Sequence, residues 1–192
     1  ISDARPLAGR FALVTGASRG IGAATAVELA AAGAHVVLTA RDTKRLEQVE
    51  ETIHAAGGTA TIAPLDLGEP DAISRLSVAI ANRWDRLDIL VLAAAYLPQL
   101  GPVTQIDPKS FNQAITTNLL ATQAILASFD PLLKRSPHAR VLGLTSSLAL
   151  DHRPYWRAYA ATKAAFEALL DCYAREIERT SEVRVAIIDP GA

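Results

Sequence analysis

Residues 11–22 read Phe-Ala-Leu-Val-Thr-Gly-Ala-Ser-Arg-Gly-Ile-Gly, an apolar run followed by three closely spaced glycines. The run is typical of a buried strand, and the residues after Gly20 have the composition of a helix. Glycines at such a junction allow a tight turn and a close approach to the backbone, and the free amides of the helix N-terminus can bind a phosphate. Because glycines also serve ordinary turns, the interpretation depends on the flanking strand and helix. Together they predict a βα unit that binds a nucleotide.

The alternation of apolar runs and amphipathic stretches continues to the end of the sequence. Predicted strands cover residues 11–15, 35–39, 59–64, 88–93, 140–145 and 183–188. Predicted helices cover residues 21–32, 43–56, 70–84, 108–133 and 156–180. This order predicts a single α/β domain over residues 1–192, a doubly wound Rossmann-type parallel sheet in three layers. Ligands of such sheets bind beyond the carboxyl ends of the strands.

Composition and charge limit the possible functions. The chain has 192 residues and a formal net charge of −1, so no basic face indicates binding to nucleic acid or an anionic membrane. No stretch approaches twenty apolar residues and no signal-peptide pattern is present, so we expect a cytoplasmic protein. The four histidines lack ligand spacing, and we expect no metal site. The single Cys172 cannot form an internal disulfide and is expected to be a buried or half-buried free thiol.

The end of the second predicted strand bears on the choice of nucleotide. In NAD-binding sheets an acidic residue at this point accepts hydrogen bonds from the adenine ribose. Here Ala40 holds the position and Arg41 follows, with Arg19 across the glycine loop. Two guanidinium groups favour a 2′-phosphate, and therefore NADP(H) over NAD(H). If the strand ended one residue later, Asp42 would favour NAD(H) instead.

Three further residues have side chains that could take part in binding or catalysis: Asp66, Tyr159 and Lys163. Asp66, before Leu67, follows the third predicted strand, where its carboxylate could accept from an adenine amino group or cap the next segment.

Tyr159 and Lys163 are four residues apart, which places both on one face of a helix. A lysine ammonium stabilises a neighbouring phenolate, so such a tyrosine can exchange protons near neutral pH. A lone pair of this kind is common on solvated helices, and its meaning depends on the other motifs.

Four motifs in order resemble the short-chain dehydrogenase/reductase family over nearly the whole chain. They are the glycine string, Leu-Asp-Ile-Leu-Val at 87–91, Tyr-Ala-Ala-Thr-Lys at 159–163, and Asp-Pro-Gly at 189–191. The resemblance implies a catalytic tetrad of Asn118, Ser146, Tyr159 and Lys163, with Ser147 as the alternative to Ser146. It also implies hydride transfer between the nicotinamide and a carbonyl or alcohol carbon.

The resemblance assigns a role to each member of the tetrad. In reduction, Tyr159 would donate a proton to the developing alkoxide, and Ser146 would donate a hydrogen bond to the substrate oxygen. Lys163 would bind the nicotinamide ribose and favour the Tyr159 phenolate. Asn118 would bend its helix and hold a water that links Lys163 to solvent. The implied cofactor contacts are Gly16, Ser18, Arg19, Gly20, Ile21, Gly22, Arg41, Asp66, Leu67, Ala93, Ala94, Tyr159, Lys163, Pro190 and Gly191.

The sequence departs from the family pattern at two places. Residues 92–95 read Leu-Ala-Ala-Ala where the family usually has Asn-Asn-Ala-Gly, whose asparagines brace the central strands. Tyr96, which follows, is expected either near the site or in solvent. Family members continue past Pro-Gly with a substrate-covering loop, a helix and a seventh strand, so we expect the natural chain to continue beyond Ala192.

The favoured function is thus an NADP(H)-dependent oxidoreductase that acts on a small carbonyl or alcohol substrate. The alternatives are the same chemistry with NAD(H), or a catalytically silent nucleotide-binding pseudoenzyme. The long helical segments 108–133 and 156–180 resemble those that pair in relatives, which implies a homodimer or homotetramer.

Overall fold

The computed structural model of the chain describes residues 5–191, so residues 1–4 and Ala192 of the predicted domain lie outside it. The six strands are β1 Phe11–Thr15, β2 His35–Thr39, β3 Thr59–Ile62, β4 Ile89–Leu92, β5 Arg140–Leu144 and β6 Arg184–Ile188. The α-helices are α1 Gly20–Ala31, α2 Thr43–Ala55, α3 Ala72–Ala81, α4 Pro108–Ile115, α5 Ala121–Lys134 and α6 Arg157–Ile177. The sequence predicted β1 and β2 with these bounds and each later strand one or two residues too long.

The six strands form one parallel sheet in the order β3-β2-β1-β4-β5-β6. Side chains of successive strand residues point to opposite faces. Leu13 therefore joins the apolar core under α3, α5 and α6, whereas Val14 joins the core under α1 and α2. The doubly wound three-layer fold predicted from the sequence is confirmed. Its strand order reverses between β1 and β4, the point at which such sheets bind ligands.

The predicted helix over residues 108–133 is interrupted. Between α4 and α5 the chain makes a π-helical turn at Thr116–Leu120. Such turns insert an extra residue into the helical ladder and are frequent at functional sites. Asn118, a poor residue for a helix interior, lies in this turn and is 2% exposed.

At the amino edge of the sheet, Asp88 just before β4 is a buried carboxylate with several donors. It accepts hydrogen bonds from Arg10 Nη1 at 3.1 Å, Phe11 N at 3.0 Å, Arg86 Nε at 3.2 Å and Ser136 Oγ at 2.6 Å. Burial by itself would raise the pKa of Asp88, but these hydrogen bonds and the Arg86 charge hold it below its ordinary value. The cluster joins β1 to the residues that flank β4 and β5.

Helix α6 packs closely on β5 because Gly143 has no side chain. A Cβ atom there would overlap Leu170 Cδ1 and come within 3.0 Å of Phe166 Cζ. The prediction for Cys172 was wrong, since this thiol is exposed. Phe166, Leu170 and Ile177 define the buried face of α6, and Cys172 falls outside it.

Candidate active site

A cavity of about 1000 Å³ opens at the carboxyl ends of β1, β2 and β4. It gathers nine of the predicted cofactor residues, namely Gly16, Ser18, Arg19, Gly20, Arg41, Asp66, Leu67, Ala93 and Ala94. Its wall also includes residues that the sequence did not single out as cofactor contacts: Thr39, Arg45, Glu69, Gln113, Thr116 and Thr117. The predicted Ile21, Gly22, Pro190, Gly191 and tetrad residues lie outside this wall. The cavity therefore corresponds to the nucleotide end of the predicted site.

The glycine loop is shaped by close backbone contacts. Gly16 has φ +67°, and a Cβ atom there would lie 2.8 Å from Ala94 Cα. A Cβ atom on Gly22 would overlap the carbonyl of Gly16. A side chain at either position would force these backbone segments apart. The two glycines thus let the turn after β1 lie directly against the loop after β4 and the start of α1. The part of the cavity that Gly16 and Gly20 line, here called the glycine groove, is suited to a pyrophosphate.

Helix α1 differs from two other helices at its N-terminus. Asp42 caps α2 by accepting from Arg45 N, and Asp107 caps α4 by accepting from Ser110 N. At the start of α1, Arg19 makes no side-chain cap. The first amides of α1 are therefore available to an anion in the groove, and the residues present fit a nucleotide pyrophosphate.

The end of β2 bears on the choice between a 2′-phosphate and a ribose hydroxyl. Strand β2 ends at Thr39, so Ala40 occupies the expected position and Arg41 follows, exposed at the cavity. Besides capping α2, the Asp42 carboxylate lies 3.3 Å from Arg45 Nε. Asp42 is thus engaged within the protein. Arg45 contacts the Asp42 carboxylate through its backbone amide and its Nε atom. This contact could have been predicted, because an aspartate at the N-cap of a helix accepts from the amide three residues later.

The Asp66 carboxylate makes a contact within its own turn and also lines the cavity. Its Oδ1 accepts from Gly68 N at 2.9 Å, which stabilises the turn after β3. The residue is exposed and lines the cavity. The carboxylate therefore shapes the local turn and lines the cavity, and its contact with an adenine amino group stays a prediction.

Thr15 provides a brace between the central strands where the family asparagines are missing. Its Oγ1 donates to Val91 O at 3.2 Å and accepts from Ala93 N and Ala94 N, both at 3.1 Å. This single buried hydroxyl joins the end of β1 to the end of β4. This brace was not predicted from the sequence, because threonine at a strand end is common.

The Asn118 side chain joins three parts of the site. Its Oδ1 accepts from Tyr96 N at 2.7 Å, and its Nδ2 donates to Tyr96 O at 2.9 Å and to Thr162 Oγ1 at 2.9 Å. Tyr96 is half-buried, with its hydroxyl 3.1 Å from Ser110 Oγ. Asn118 therefore fixes the loop after β4 against the helix that carries Tyr159. The water that it would hold stays a prediction.

Tyr159 and Lys163 lie one turn apart on α6. Lys163 is 4% exposed, and its Nζ donates to Leu144 O at 2.6 Å. The same Nζ is 5.8 Å from the centre of the Tyr159 ring. Burial lowers the pKa of Lys163 to about 8, against the opposing charge of Glu167, and burial raises the pKa of Tyr159. A buried ammonium beside a half-buried phenol is an arrangement suited to proton transfer.

Ser146 lies two residues after the end of β5 and is half-buried, whereas Ser147 is exposed and begins a short 3₁₀ turn. Strand pairing sets Leu144 opposite Ile188. Ser146 and Pro190 each lie two residues beyond this pair, so they reach the same edge of the sheet. The predicted residues after β5 and β6 are thus brought to the edge where Lys163 contacts Leu144. Ser146 lies near the strand end, as the sequence predicted, and its catalytic role stays a prediction.

Within residues 5–191, no group of three or more histidine, cysteine, aspartate and glutamate side chains is arranged to hold a metal ion. No helix in that part of the chain is both long and apolar enough to span a membrane.

Proteins of known sequence resemble this chain over most of its length. It is 33% identical over 170 residues to a fatty acyl-CoA reductase of Acinetobacter baylyi, covering 88% of this chain and 58% of that protein. It is 32% identical over 185 residues to the oxidoreductase YciK of Escherichia coli, covering 95% of this chain and 73% of YciK. The chain thus spans just over half of the first relative and about three quarters of the second.

A solved structure and a family model agree with these relatives. A metagenomic short-chain oxidoreductase in complex with NADP superimposes with a TM-score of 0.92 at 36% identity, over 97% of this chain and 84% of that one. The model of the family described as short chain dehydrogenase matches residues 10–192. With the glycine groove, the Tyr159–Lys163 pair and the strand order on the same scaffold, this chain belongs to the short-chain dehydrogenase/reductase family of oxidoreductases.

Proposed function

We propose that this chain is an NADP(H)-dependent oxidoreductase that interconverts a small carbonyl compound and its alcohol. The observation that carries the proposal is the buried Lys163 ammonium beside Tyr159, at the same sheet edge as the glycine-lined cavity. A bound nicotinamide would supply or accept the hydride. The protein would supply the proton, the orientation and the electrostatics, and residues 1–192 would form one nucleotide-binding catalytic domain.

The proton would come from Tyr159. Burial raises the pKa of this phenol, so it is protonated at neutral pH and able to donate to an alkoxide. The Lys163 ammonium nearby lowers the cost of the phenolate that donation leaves behind. Ser146, half-buried at the end of β5, would donate a hydrogen bond to the substrate oxygen. Asn118 would hold α6 against the loop after β4, and its water would return the proton.

Three features support NADP(H) as the cofactor. Arg19 and Arg41 line the cavity, and the Asp42 carboxylate is engaged by Arg45. Guanidinium groups bind a phosphate through paired hydrogen bonds. Among the relatives, an Arabidopsis protein 31% identical to this chain is named an NADPH-dependent aldehyde reductase-like protein. Binding of NAD(H) would instead need a ribose acceptor, for which Asp42 is the candidate.

The Tyr159→Phe variant tests the reaction. We expect NADPH oxidation on a panel of aldehydes and ketones to fall by about 10² to 10⁴-fold, because the general acid is lost while the ring remains. The measurement is loss of nicotinamide absorbance, with NADPH binding followed separately by fluorescence. Tyr173→Phe is the matched control, since Tyr173 is also half-buried on α6 but bonds to Asp130 at 2.9 Å. Wild-type protein that binds NADPH but turns over no carbonyl would favour the silent pseudoenzyme.

The Arg41→Ala variant tests the cofactor. We expect NADPH affinity to fall about tenfold or more with little change for NADH, because only NADPH carries the 2′-phosphate. Arg175→Ala is the control, since Arg175 is exposed, paired with Asp171 at 2.8 Å and absent from the cavity wall. Equal losses for the two nucleotides would show that Arg41 does not read the 2′ position.

The protein is further proposed to form a homodimer or homotetramer through the segments 108–133 and 156–180. This proposal rests on the family resemblance of those segments. A monomeric mass by light scattering of the full-length protein would contradict it.

A further inference from the structure

The first half of α6 is attached to the end of β5 by two α6 side chains, Lys163 and Glu167, that lie one helical turn apart. Lys163 donates to Leu144 O at 2.6 Å. Thr145, the next residue of the chain, donates from Oγ1 to Glu167 Oε1 at 2.5 Å. Thr145 is 8% exposed, and its amide donates to Ile188 O, so its backbone is fixed within the sheet. The residue before Ser146 is therefore held by a carboxylate of the catalytic helix.

Glu167 stands four residues after Lys163, on the same face of α6. Burial drives the Lys163 ammonium towards its neutral form, and the negative charge of Glu167 opposes that effect. The other titratable group facing Lys163 from α6 is Tyr159. From β5, Lys163 meets the neutral carbonyl of Leu144. Glu167 is thus the anionic group placed to keep this lysine charged.

The charged side chains on other elements packed against α6 are engaged or directed elsewhere. Asp130 of α5 bonds to Tyr173 and pairs with Lys134, while Lys109 of α4 and Arg184 of β6 are exposed. The π turn faces α6 with the neutral side chain of Asn118, bonded to Thr162. None of these groups takes the place of Glu167, which lies one helical turn from Lys163.

We propose that Glu167 is a positioning residue whose carboxylate, held by Thr145, keeps the Lys163 ammonium charged and aligns Ser146 with Tyr159. The inference rests on the proposed function and extends it beyond the tetrad. Thr145 has two roles. Its hydroxyl holds the Glu167 carboxylate, and its backbone belongs to the strand end that precedes Ser146. The loss of the Glu167 charge would weaken Lys163 as the electrostatic support of the Tyr159 phenolate.

The experiment is a ¹³C NMR titration of the lysine side chains in the full-length protein. The chain described here has four lysines, at positions 44, 109, 134 and 163, and the Lys163→Arg variant assigns the last. In the wild type the Lys163 pKa is expected at about 8. In Glu167→Gln, which retains an acceptor for Thr145, we expect the midpoint lower by about one pH unit. Glu176→Gln is the control, an exposed position on the same helix.

Two further measurements separate the outcomes. Thr145→Val keeps the charge and removes its hydrogen bond, so we expect a smaller change of midpoint than in Glu167→Gln. The alkaline limit of kcat/KM for NADPH-dependent reduction should move to lower pH together with the NMR midpoint. A folded Glu167→Gln protein with an unchanged Lys163 midpoint would overturn the proposal. A shifted midpoint in a protein without turnover would leave the electrostatic role of Glu167 standing and reject the proposed function.

Discussion

At the amino edge of the sheet, the buried Asp88 carboxylate accepts hydrogen bonds from three side chains and one amide. At the carboxyl edge, the buried Lys163 ammonium donates to the Leu144 carbonyl, and the Thr39 hydroxyl has no hydrogen-bond partner within the described residues. Both edges bury polar groups, but the amino edge satisfies them within the protein. At the carboxyl edge, the Thr39 hydroxyl is left unpaired among the described residues, and the Lys163 ammonium donates to one backbone carbonyl. The buried carboxylate of the amino edge therefore contributes to stability, whereas these two buried polar groups of the carboxyl edge cost stability.

The two buried charges show the difference most clearly. Hydrogen bonds and positive neighbours lower the pKa of Asp88 despite its burial, so the folded state favours its charged form. Burial lowers the pKa of Lys163, so the folded state disfavours its charged form. A charge that folding favours contributes to stability, and a charge that folding disfavours subtracts from it. Asp88 and Lys163 should therefore respond to substitution with opposite signs.

Asp88→Ala should produce the largest effect on stability. We expect the free energy of unfolding to fall by about 3 kcal/mol, because Arg10, Arg86 and Ser136 lose a buried partner together. The measurement is urea denaturation followed by circular dichroism. Asp151→Ala is the control, since the Asp151–Arg153 pair is exposed on both sides and should contribute little. A loss as small as that of the control would show that the amino edge does not depend on this carboxylate.

The Asp88 contribution should also depend on pH. Since its folded pKa lies below the unfolded value, its stabilisation is present above about pH 4 and is lost as the pH falls through the folded pKa. The difference between wild type and Asp88→Ala should therefore narrow in acid. A difference that is constant from pH 7 to pH 2 would contradict the assignment.

Lys163→Met should have a smaller effect in the opposite direction. We expect the variant to be more stable than the wild type by about 1 to 2 kcal/mol at pH 7, because an apolar side chain replaces a buried charge of similar length. Turnover should be lost at the same time. The measurement is denaturant unfolding of both proteins at pH 7 and at pH 10.

The sign of the pH dependence follows from linkage. The Lys163 pKa is about 8 in the folded state and near 10.5 when unfolded, so the unfolded chain binds more protons between these values. Wild-type stability should therefore rise relative to Lys163→Met as the pH increases from 8, and the advantage of the variant should disappear near pH 10.5. A stability difference that is independent of pH would point to packing rather than charge.

The contrast between the edges also explains what the sequence could predict. Glycines, strand runs and the Tyr159–Lys163 spacing are local signals, and they correctly predicted the βα turn after β1 and the placement of both residues on one helix. The contact between Thr145 and Glu167 was not predictable, because it depends on how close α6 lies to β5. The Thr15 brace depends on β1 and β4 being neighbours, which only the strand order establishes. For Cys172, helical composition was insufficient, since burial depends on the exact face of α6.

The smallest expected effect on stability concerns two threonines, Thr15 and Thr39, which lie opposite each other on β1 and β2. Thr15 and Thr39 are paired in register and each is 2% exposed. The Thr15 hydroxyl has three backbone partners, whereas Thr39 Oγ1 has none within residues 5–191. We expect Thr39→Val to stabilise the nucleotide-free protein by less than about 1 kcal/mol, since an unpaired buried hydroxyl becomes a methyl group of the same shape. Thr15→Val, the matched control, should cost about 2 kcal/mol because three backbone groups lose a partner. Thermal unfolding of both variants measures the difference, and a loss of stability in Thr39→Val would mean that its hydroxyl is satisfied in the folded protein.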